Sequence, residues 1–319
     1  MISGYHVEVI MLGTGATVPT SERLLPAILV RDTAGNRILL DTGEGAQVRL
    51  SQAGVSPTSI DLIAITHEHG DHVNGLPGLL QSMYINGRRK PLRIIAPTNI
   101  SKFLRDALEA TSERLGFNID IIEIKGSSYI TVSETAGGDK LLLHWFPVCH
   151  TVEAYGFKLE WILRPRIDNS KLETLGLKPG IWIKQLLEKG EVYIEGIRVK
   201  LEDVIHRYQE PLRIIYTGDT APCNTVLEEA KKAKLLIHDS TFTSDLEDEA
   251  KEKGHSTSEQ AAHIARESQV SLLVLTHISP RYKGLEARRL QQDARKIFKN
   301  TILAKDLTKI ILNLSTIYP

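Results

Sequence analysis

The chain has few cysteines and lacks any long apolar run. Cys149 and Cys223 are the only cysteines in 319 residues, so the sequence offers neither a disulfide framework nor the spacing of a zinc ribbon. No apolar stretch approaches the roughly 20 residues that cross a bilayer, and no signal-peptide pattern opens the sequence. We therefore expect a protein of a reducing cytoplasm, without a membrane partner.

The sequence also lacks an excess of charge of either sign. Lys plus Arg and Asp plus Glu both number 39, which gives a formal net charge of zero. Binding to nucleic acid through overall charge is thereby excluded, and a nucleic-acid partner would have to meet a local basic patch. The 42% of hydrophobic residues is enough for a large core in one domain or two.

Strand and helix patterns alternate along the chain and predict an α/β fold. Short β-branched runs predict strands at 7–12, 27–30, 37–41, 62–66, 93–96, 141–146, 213–217, 235–238 and 272–276. Apolar periodicity and capping residues predict helices at 99–115, 256–268 and 288–299. Polar clusters directly follow several of these strands, which is where ligand sites form in α/β folds.

The strongest local feature is a run of metal-binding side chains directly after a buried strand. Its residues are His67, Glu68, His69, Gly70, Asp71 and His72. Imidazole and carboxylate ligands suit zinc, and one ion takes about three of them. His67, His69, Asp71 and His72 are four such side chains, so the run suggests two ions. A solvated polar loop is the alternative, and this spacing after a buried strand argues against it.

This run resembles the H-x-H-x-D-H signature of the metallo-β-lactamase superfamily. Later strand ends match the rest of that pattern with Asp41 in LLLDTGEG, His150 after FPVC, Asp219 in YTGDT and His277 in VLTHIS. Taken singly, Asp219 could be a turn residue and His277 a loop cap. His144, in the middle of a predicted strand, is a less suitable ligand than His150.

The resemblance implies a four-layer αββα sandwich that binds two zinc ions per subunit, with manganese or iron as alternatives. One ion would take His67, His69 and His150. The other would take Asp71, His72 and His277. Asp219 would bridge the two ions, and Asp41 would orient a ligand histidine from behind.

Within the superfamily, several further segments resemble ribonuclease Z, the endonuclease that trims precursor tRNA at its 3′ end. They are LGTGATVPT near the start, HVNGLPGLL after the ligand run, His255-Ser256-Thr257, and THISPRY around the last ligand. The chain departs from the family at residues 238–241, which read His-Asp-Ser-Thr where the family has His-Glu-Ala-Thr. The carboxylate there is retained on a shorter side chain.

Residues 156–208 read as an insertion that projects from a catalytic domain spanning 1–319. Nine Lys or Arg stand against six Asp or Glu within 156–200. The segment LGLKPGI, followed by Gly190-Glu191, resembles the flexible arm, or exosite, with which ribonuclease Z holds tRNA. Gly180-Ile181 replaces the Gly-Pro of the family, so we expect a different turn there.

The resemblance also implies the roles of individual side chains. Asp71 would orient or deprotonate the attacking water, and His255 would protonate the leaving group, for which an imidazole pKa is suited. A helix-start surface residue is the alternative for His255. RNA contacts are predicted from the arm and the last ligand loop, at Lys178, Gly180, Lys184 and Arg281, and from a basic run at Arg88, Arg89, Lys90 and Arg93. The alternative for any one of these basic groups is a solvated surface.

The function that follows is a zinc-dependent endoribonuclease that removes the 3′ trailer of precursor tRNA and leaves a 3′-hydroxyl, working as a homodimer. The main alternative is a small-molecule hydrolase of the same fold, acting on a thioester, lactone, sulfate ester or cyclic phosphodiester, which has no need of a basic arm. A second alternative is a di-iron oxygen reductase of this fold. Those enzymes place a carboxylate where this chain has His69, so the histidine favours zinc and hydrolysis. RNA-binding relatives without activity tend to lose ligands, and all seven are present here.

Overall fold

The computed structural model describes residues 6–111, 115–194, 196–205 and 210–313. Sixteen strands lie in these ranges. They are β1 (His6–Gly13), β2 (Ala27–Asp32), β3 (Arg37–Leu40), β4 (Leu62–Ala64), β5 (Leu92–Ala96), β6 (Ile119–Glu123), β7 (Ser128–Glu134), β8 (Lys140–Pro147), β9 (Tyr155–Ile162), β10 (Glu191–Ile194), β11 (Ile197–Lys200), β12 (Leu212–Tyr216), β13 (Leu235–Asp239), β14 (Leu272–Thr276), β15 (Thr301–Leu303) and β16 (Thr308–Asn313).

Eleven α-helices lie in the same ranges, together with 3₁₀ turns at Pro57–Ser59 and Ser244–Leu246. They are α1 (Ala46–Gln52), α2 (Gly70–Val73), α3 (Leu76–Ile85), α4 (Thr98–Ala110), α5 (Asn169–Thr174), α6 (Trp182–Lys189), α7 (Leu201–Val204), α8 (Asn224–Glu229), α9 (Glu247–Glu252), α10 (Ser258–Glu267) and α11 (Leu285–Ile297). Among the described residues, no helix has the length and apolar character needed to cross a membrane.

Two seven-stranded sheets with related topology form the centre of the fold. The first has the order β16-β1-β2-β3-β4-β5-β6 and the second β15-β14-β13-β12-β9-β8-β7. In each sheet one half is antiparallel and the other half, β3 to β6 or β12 to β15, is parallel. The parallel strands are short and almost wholly apolar, as expected for strands buried on both faces.

Three layers of buried side chains separate four layers of backbone. The central core joins the facing sides of the two sheets, with Val9 and Leu40 from the first and Phe157 and Ile237 from the second. A second core lies between the first sheet and helices α1, α3 and α4. A third lies between the second sheet and helices α8, α10 and α11. This αββα arrangement confirms the predicted fold class.

The insertion begins later than predicted. Residues 156–162 belong to β9, which pairs with β8 on one side and β12 on the other, so they are part of the second sheet. Charged residues alternate with apolar ones along it, as in KLEW, which is the pattern of a strand with one buried face, but the charge of the longer segment around it hid that pattern. The arm proper follows Ile162 and contains α5, α6, the β10–β11 hairpin and α7, which share a small core of their own that includes Leu172, Leu186 and Val199. Residues 206–208 lie outside the described residues.

The other predicted elements agree with the structure, with some differences at their ends. The helix predicted at 99–115 is α4, which ends at Ala110, and residues 112–114 lie outside the described part. Helix α11 begins at Leu285 rather than at residue 288. Helix α10 has a capping box, but its partners are Thr257 and Gln260 rather than a glutamate. Strands β6 and β7, which end one side of each sheet and are half-exposed, were not predicted.

The two cysteines form a pair that the sequence did not predict. Cys149 and Cys223 form a disulfide, with their Cα atoms 5.8 Å apart and 74 residues apart in sequence. Two cysteines carry no spacing signal, so nothing in the sequence indicated that the fold brings them together.

Candidate metal centre

The seven predicted metal ligands come together where the loops that follow the strands meet. His67, His69, His150 and Asp219 form one group whose candidate ligand atoms all lie within 4.8 Å of one another. Asp71, His72, His277 and again Asp219 form a second group with the same property. The structure therefore brings all seven residues into two adjoining clusters, divided as the sequence pattern implied.

Asp219 is shared because its two carboxylate oxygens face different clusters. Its Oδ2 lies 3.6 Å from His67 Nε2, while its Oδ1 lies 3.2 Å from His72 Nε2 and 3.3 Å from His277 Nε2. Asp219 is 2% exposed. Burial would raise the pKa of this carboxyl group, but the histidines around it outweigh that effect and hold the pKa well below its usual range.

Two buried polar atoms in the second cluster indicate that it is built to hold a cation. His72 Nε2 and Asp219 Oδ1 lie 3.2 Å apart and are shielded from solvent, yet neither makes a well-directed hydrogen bond to any described residue. A buried polar group without a partner costs free energy, roughly 1–3 kcal/mol. A divalent cation bound by both atoms would satisfy them, so the donor set fits the metal that the fold family implies.

Hydrogen bonds behind four of the histidines fix which ring nitrogen faces the clusters. In each case Nδ1 has an acceptor, which leaves the lone pair on Nε2 for a metal. The pairs are His67 with Thr66 Oγ1 at 2.9 Å, His72 with Asp41 Oδ2 at 2.8 Å, His150 with the Gly254 carbonyl at 2.7 Å and His277 with Thr241 Oγ1 at 2.8 Å.

His69 is oriented the other way. Its Nδ1 lies 3.1 Å from His67 Nε2 and 3.2 Å from His150 Nε2. The first cluster therefore presents two Nε2 atoms and one Nδ1 atom to a common point. This follows from the local chain path, because His69 precedes Gly70 at the start of α2 while His67 directly continues the path of β4.

Asp41 is the centre of a buried network behind His72. Besides the His72 ring, its carboxylate accepts hydrogen bonds from the Thr66 backbone N–H at 2.8 Å and from the Tyr216 hydroxyl at 2.8 Å. Burial and then the Asp41 charge raise the pKa of Tyr216 well above its ordinary value, so this phenol remains a donor. Asp41 thus lies behind a ligand histidine and away from the clusters, which is the position that the family resemblance implied.

Asp71 lies on the open side of the second cluster. Its Oδ2 accepts a hydrogen bond from the Thr17 backbone N–H at 2.9 Å and lies 3.3 Å from His277 Nε2. Burial alone would raise the pKa of Asp71, but the hydrogen bond to His277 and the charge of His72 hold it well below the usual range. The carboxylate is therefore ionised at any physiological pH.

His255 is not an isolated surface residue. Its side chain is 13% exposed, and its Nδ1–H donates to Asp239 Oδ2 at 2.7 Å. Burial would lower the pKa of His255, but the Asp239 carboxylate outweighs burial and raises the pKa to about 9. The imidazole ring lies 5.1 Å from the ring of His150 and 5.1 Å from that of His277, measured between centroids. His255 therefore borders both clusters, beside a carboxylate that favours its protonated form.

Asp239 links His255 to a ligand of the second cluster. Its Oδ1 accepts hydrogen bonds from the Thr241 backbone N–H at 2.9 Å and from the Thr241 hydroxyl at 2.7 Å. The same hydroxyl oxygen lies 2.8 Å from Nδ1 of His277. The His-Asp-Ser-Thr departure from the family pattern thus keeps a carboxylate in contact with the active-site histidines.

The predicted RNA contacts differ in their surroundings. Lys178, Gly180 and Lys184 are exposed on the arm. Arg281 forms a two-point ion pair with Glu249, at 2.8 and 3.0 Å, and its guanidinium lies 5.0 Å from the centre of the Phe242 ring. None of these four residues touches the two clusters.

The predicted basic run at 88–93 contains a residue with a structural role. Arg88 is 2% exposed, and its guanidinium donates to the backbone carbonyls of Thr58, Ile60, Lys90 and Pro91. Lys90 and Arg93 form ion pairs with Asp61 and Asp120. The prediction of an RNA contact at Arg88 is wrong, because its cation is needed to tie the ends of neighbouring loops together.

Sequence reasoning missed the residues that support the ligands. Thr66, Tyr216, Thr241 and Gly254 all contact ligand histidines or Asp41, yet none has a side chain that indicates such a role by itself. The only available signal was position, because Thr66 and Tyr216 lie at strand ends that face the site. Gly254 contributes only its backbone carbonyl, which no sequence pattern reveals.

Two models of protein families match the chain. The beta-lactamase superfamily domain matches residues 205–278, which include Asp219 and His277. The anti-Pycsar protein Apyc1 family matches residues 7–160, which include the ligand run and His150. Together they cover the elements that carry the two clusters.

Curated relatives and solved structures resemble the chain along nearly its whole length. The ribonuclease Z of Aeropyrum pernix is 46% identical over 309 residues, which cover 97% of this chain and 99% of the relative. That of Ignicoccus hospitalis is 40% identical and covers 95% of this chain and 97% of its own. The short form of human tRNase Z matches with a TM-score of 0.66 at 24% identity, over 95% and 98% of the two chains. YhfI of Bacillus subtilis, a metallo-β-lactamase fold protein, matches with a TM-score of 0.68 at 16% identity over 96% and 99%. The two structures support the fold alone.

Proposed function

Because this chain belongs to the ribonuclease Z family, we propose that it is an endoribonuclease that removes the 3′ trailer from precursor tRNA and leaves a 3′-hydroxyl on the tRNA. The observation that carries this proposal is the pair of adjoining clusters that share Asp219, bordered by the His255–Asp239 pair. The clusters suit a phosphodiester, whose hydrolysis needs positive charge near the phosphate and a proton for the leaving oxygen.

The donor set supports two divalent cations per subunit, and we propose zinc, with manganese or iron as alternatives. His67, His69 and His150 would hold one ion, Asp71, His72 and His277 the other, and Asp219 both. When bound, such ions make a water molecule acidic enough to attack at neutral pH and neutralise charge on the phosphate oxygens. The five imidazoles and two carboxylates of this set match the ligand preferences of zinc. Softer ions prefer sets with thiolates, and harder ions prefer sets made of oxygen atoms alone.

Asp71 would orient the attacking water in addition to its ligand role. Its carboxylate is ionised and held in place by the Thr17 backbone N–H, so it can accept a proton of that water through a hydrogen bond. A carboxylate fixed in this way cannot rotate to follow the water, which favours one direction of attack on the phosphorus. The loop that bears Thr17 thereby contributes to the geometry of the reaction without touching the substrate.

His255 would protonate the leaving 3′ oxygen of the tRNA, while the phosphate stays on the trailer. Its Nδ1–H is committed to Asp239, so the proton available for transfer is the one on Nε2. Asp239 keeps the imidazole charged near neutral pH and fixes its orientation. A positioned acid of this kind contributes typically 10²–10⁴-fold to a rate.

The arm would bind the tRNA away from the cut. Its small separate core allows it to stand off the sheets as an independently packed unit, and its exposed Lys178 and Lys184 can meet backbone phosphates. Gly180 would allow close approach of the RNA backbone. Arg281 would contact RNA once its ion pair with Glu249 has opened. We further propose a homodimer in which one subunit's arm serves the other's active site, acting in the cytoplasm, where precursor tRNA is found.

The test is incubation of the metal-loaded protein with a 5′-labelled precursor tRNA that carries a 3′ trailer. We expect one cut directly after the discriminator nucleotide, with a 3′-hydroxyl on the tRNA fragment. His67→Ala should abolish cleavage, whereas His144→Ala, which changes a histidine outside the clusters, should retain it. Uncut precursor together with turnover of a thioester or small ester would replace this function by that of a small-molecule hydrolase.

A further inference from the structure

The Cys149–Cys223 disulfide joins two loops that each carry a proposed metal ligand. Cys149 directly precedes His150 in the loop between β8 and β9. Cys223 lies four positions after Asp219, in the loop between β12 and α8. The bond therefore joins positions 74 apart in the sequence and closes a segment that contains β9, the whole arm and β12.

Few other contacts hold these two loops together. The Ala221 backbone N–H donates to the Cys149 carbonyl at 2.7 Å, and the Cys149 N–H donates to Thr220 Oγ1 at 3.2 Å. A third bond, from Thr225 Oγ1 to the Pro147 carbonyl at 2.7 Å, fixes the start of α8 against the end of β8. Cys149 is exposed and Cys223 is half-buried, so water can compete for these hydrogen bonds if the covalent link is lost.

His150 depends on this junction more than the other ligands of its cluster do. His67 and His69 belong to the loop between β4 and α2, which is anchored by a buried strand and by the Asp41 network. Apart from its contact with His69, His150 is placed by the hydrogen bond of its Nδ1 to the Gly254 carbonyl and by the path of its own loop, and that path is fixed at Cys149. The ligands of the second cluster other than Asp219 lie on loops that contain neither cysteine.

We propose that the Cys149–Cys223 disulfide is a reducible clamp that positions His150 against Asp219, and that breaking it selectively weakens the first of the two metal positions. The inference rests on the metal centre of the proposed function, and it adds two positioning residues to that centre. When a water-soluble phosphine reduces the bond, the phosphine gives two electrons to the sulfurs and takes the oxygen of one water molecule. The two protons of that water go to the sulfurs, which become thiols.

The first measurement counts free thiols in the unfolded wild-type protein purified without reductant. We expect none, because the two cysteines should be paired. Two free thiols per chain would overturn the proposal at once.

The second measurement follows release of zinc from the fully loaded protein to a chelating dye. In the double variant Cys149→Ser/Cys223→Ser we expect one of the two ions to leave about tenfold faster than in wild type, while the other leaves at an unchanged rate. Leu29→Ala, a truncation in the core of the first sheet, is the control for general loss of stability. Unchanged release in the double variant, or equal acceleration of both ions as in the control, would contradict a clamp on one position.

The third measurement separates the clamp from the proposed function, because it needs neither metal nor RNA. In the metal-free protein, hydrogen exchange at the amides of Cys149 and Ala221 should speed up at least tenfold on phosphine reduction and return to its original rate on reoxidation. Protection at Thr276, in the buried strand β14, should not change. Equal protection at residues 149 and 221 in both redox states would refute the clamp even if the loaded protein cleaves tRNA. Failure of tRNA cleavage with the exchange result intact would instead count against the function alone.

Discussion

Replacing Asp239 by Asn should remove most of the acid function of His255 while keeping the shape of the site. In the wild type, the carboxylate holds the pKa of His255 at about 9 against an ordinary value of 6.5. That difference is a factor of about 300 in proton affinity, or about 3 kcal/mol, for a side chain that is 13% exposed. With that charge gone, burial lowers the pKa of the imidazole, and the Asp219 carboxylate, 4.0 Å from His255 Nδ1, is the remaining group that raises it, so the pKa falls from its wild-type value.

The rate consequence follows from the protonated fraction. The Asp239 carboxylate raises the fraction of His255 that is protonated at a given pH, so the variant should carry the proton in a smaller fraction of molecules than the wild type. Adding the loss of orientation, we expect cleavage to slow by about 100-fold in Asp239→Asn, within the range of about 10²–10⁴-fold expected for His255→Ala. Because the acid must be protonated, activity falls as pH rises, and this fall should begin at lower pH in the variant. Bound cations lower the pKa of His255 in both proteins, so the shift between them is the quantity to compare.

The assay is single-turnover cleavage of a precursor tRNA across a pH series. Glu160→Gln provides a matched control, because Glu160 also contacts a histidine, His144, at 3.2 Å but outside the site. The control should cleave at the wild-type rate. The double variant Asp239→Asn/His255→Ala should be no slower than His255→Ala alone, since Asp239 acts through that histidine. A wild-type rate and pH profile in Asp239→Asn would refute the reasoning.

Three further outcomes are expected. Asp41→Asn should lower affinity for one of the two metal ions by about 10–100-fold, measured by competition with a chelator, because the amide no longer fixes the His72 tautomer; unchanged affinity would contradict this. Lys178→Glu/Lys184→Glu should raise KM for precursor tRNA with little change in kcat and reduce the salt slope of binding by about two, while hydrolysis of a small phosphodiester stays the same; an equal loss on both substrates would argue against the arm as the RNA contact. Removal of metal should lower the free energy of unfolding by about 3 kcal/mol for each ion, about 5 kcal/mol for both, relative to protein in a hundredfold excess of zinc over its Kd, and calorimetry that finds no change would contradict the fit of the buried donors to a cation.

The sequence predicted the parts of this fold and site that depend on local pattern. Buried parallel strands such as β4 and β14 appear as continuous apolar runs, and the polar residue that ends each one is where a ligand stands. His67 and His277 could be assigned in this way. Strand β9 was not predicted because the charged, Gly-rich segment that follows it dominates the composition of 156–208, although its own alternation of charged and apolar residues is that of a strand with one face in the central core.

What could not be predicted depends on contacts between distant parts of the chain. Arg88 looks like its basic neighbours in the sequence, and only the fold shows that four backbone carbonyls surround it. The pairing of Cys149 with Cys223 has the same origin, because the two residues meet only when β8 and β12 have taken their places in one sheet. Asp239 could be recognised as a retained carboxylate, but its double contact with His255 and Thr241 required the structure.

The central claim is that seven side chains bind a pair of divalent cations around Asp219. The most direct measurement is a crystal structure of the zinc-loaded protein with anomalous scattering recorded on both sides of the zinc absorption edge. We expect two peaks about 3.5–4 Å apart, one about 2.0–2.2 Å from nitrogens of His67, His69 and His150 and one at the same distance from Asp71, His72 and His277. A single peak, or peaks that avoid Asp219, would contradict the account.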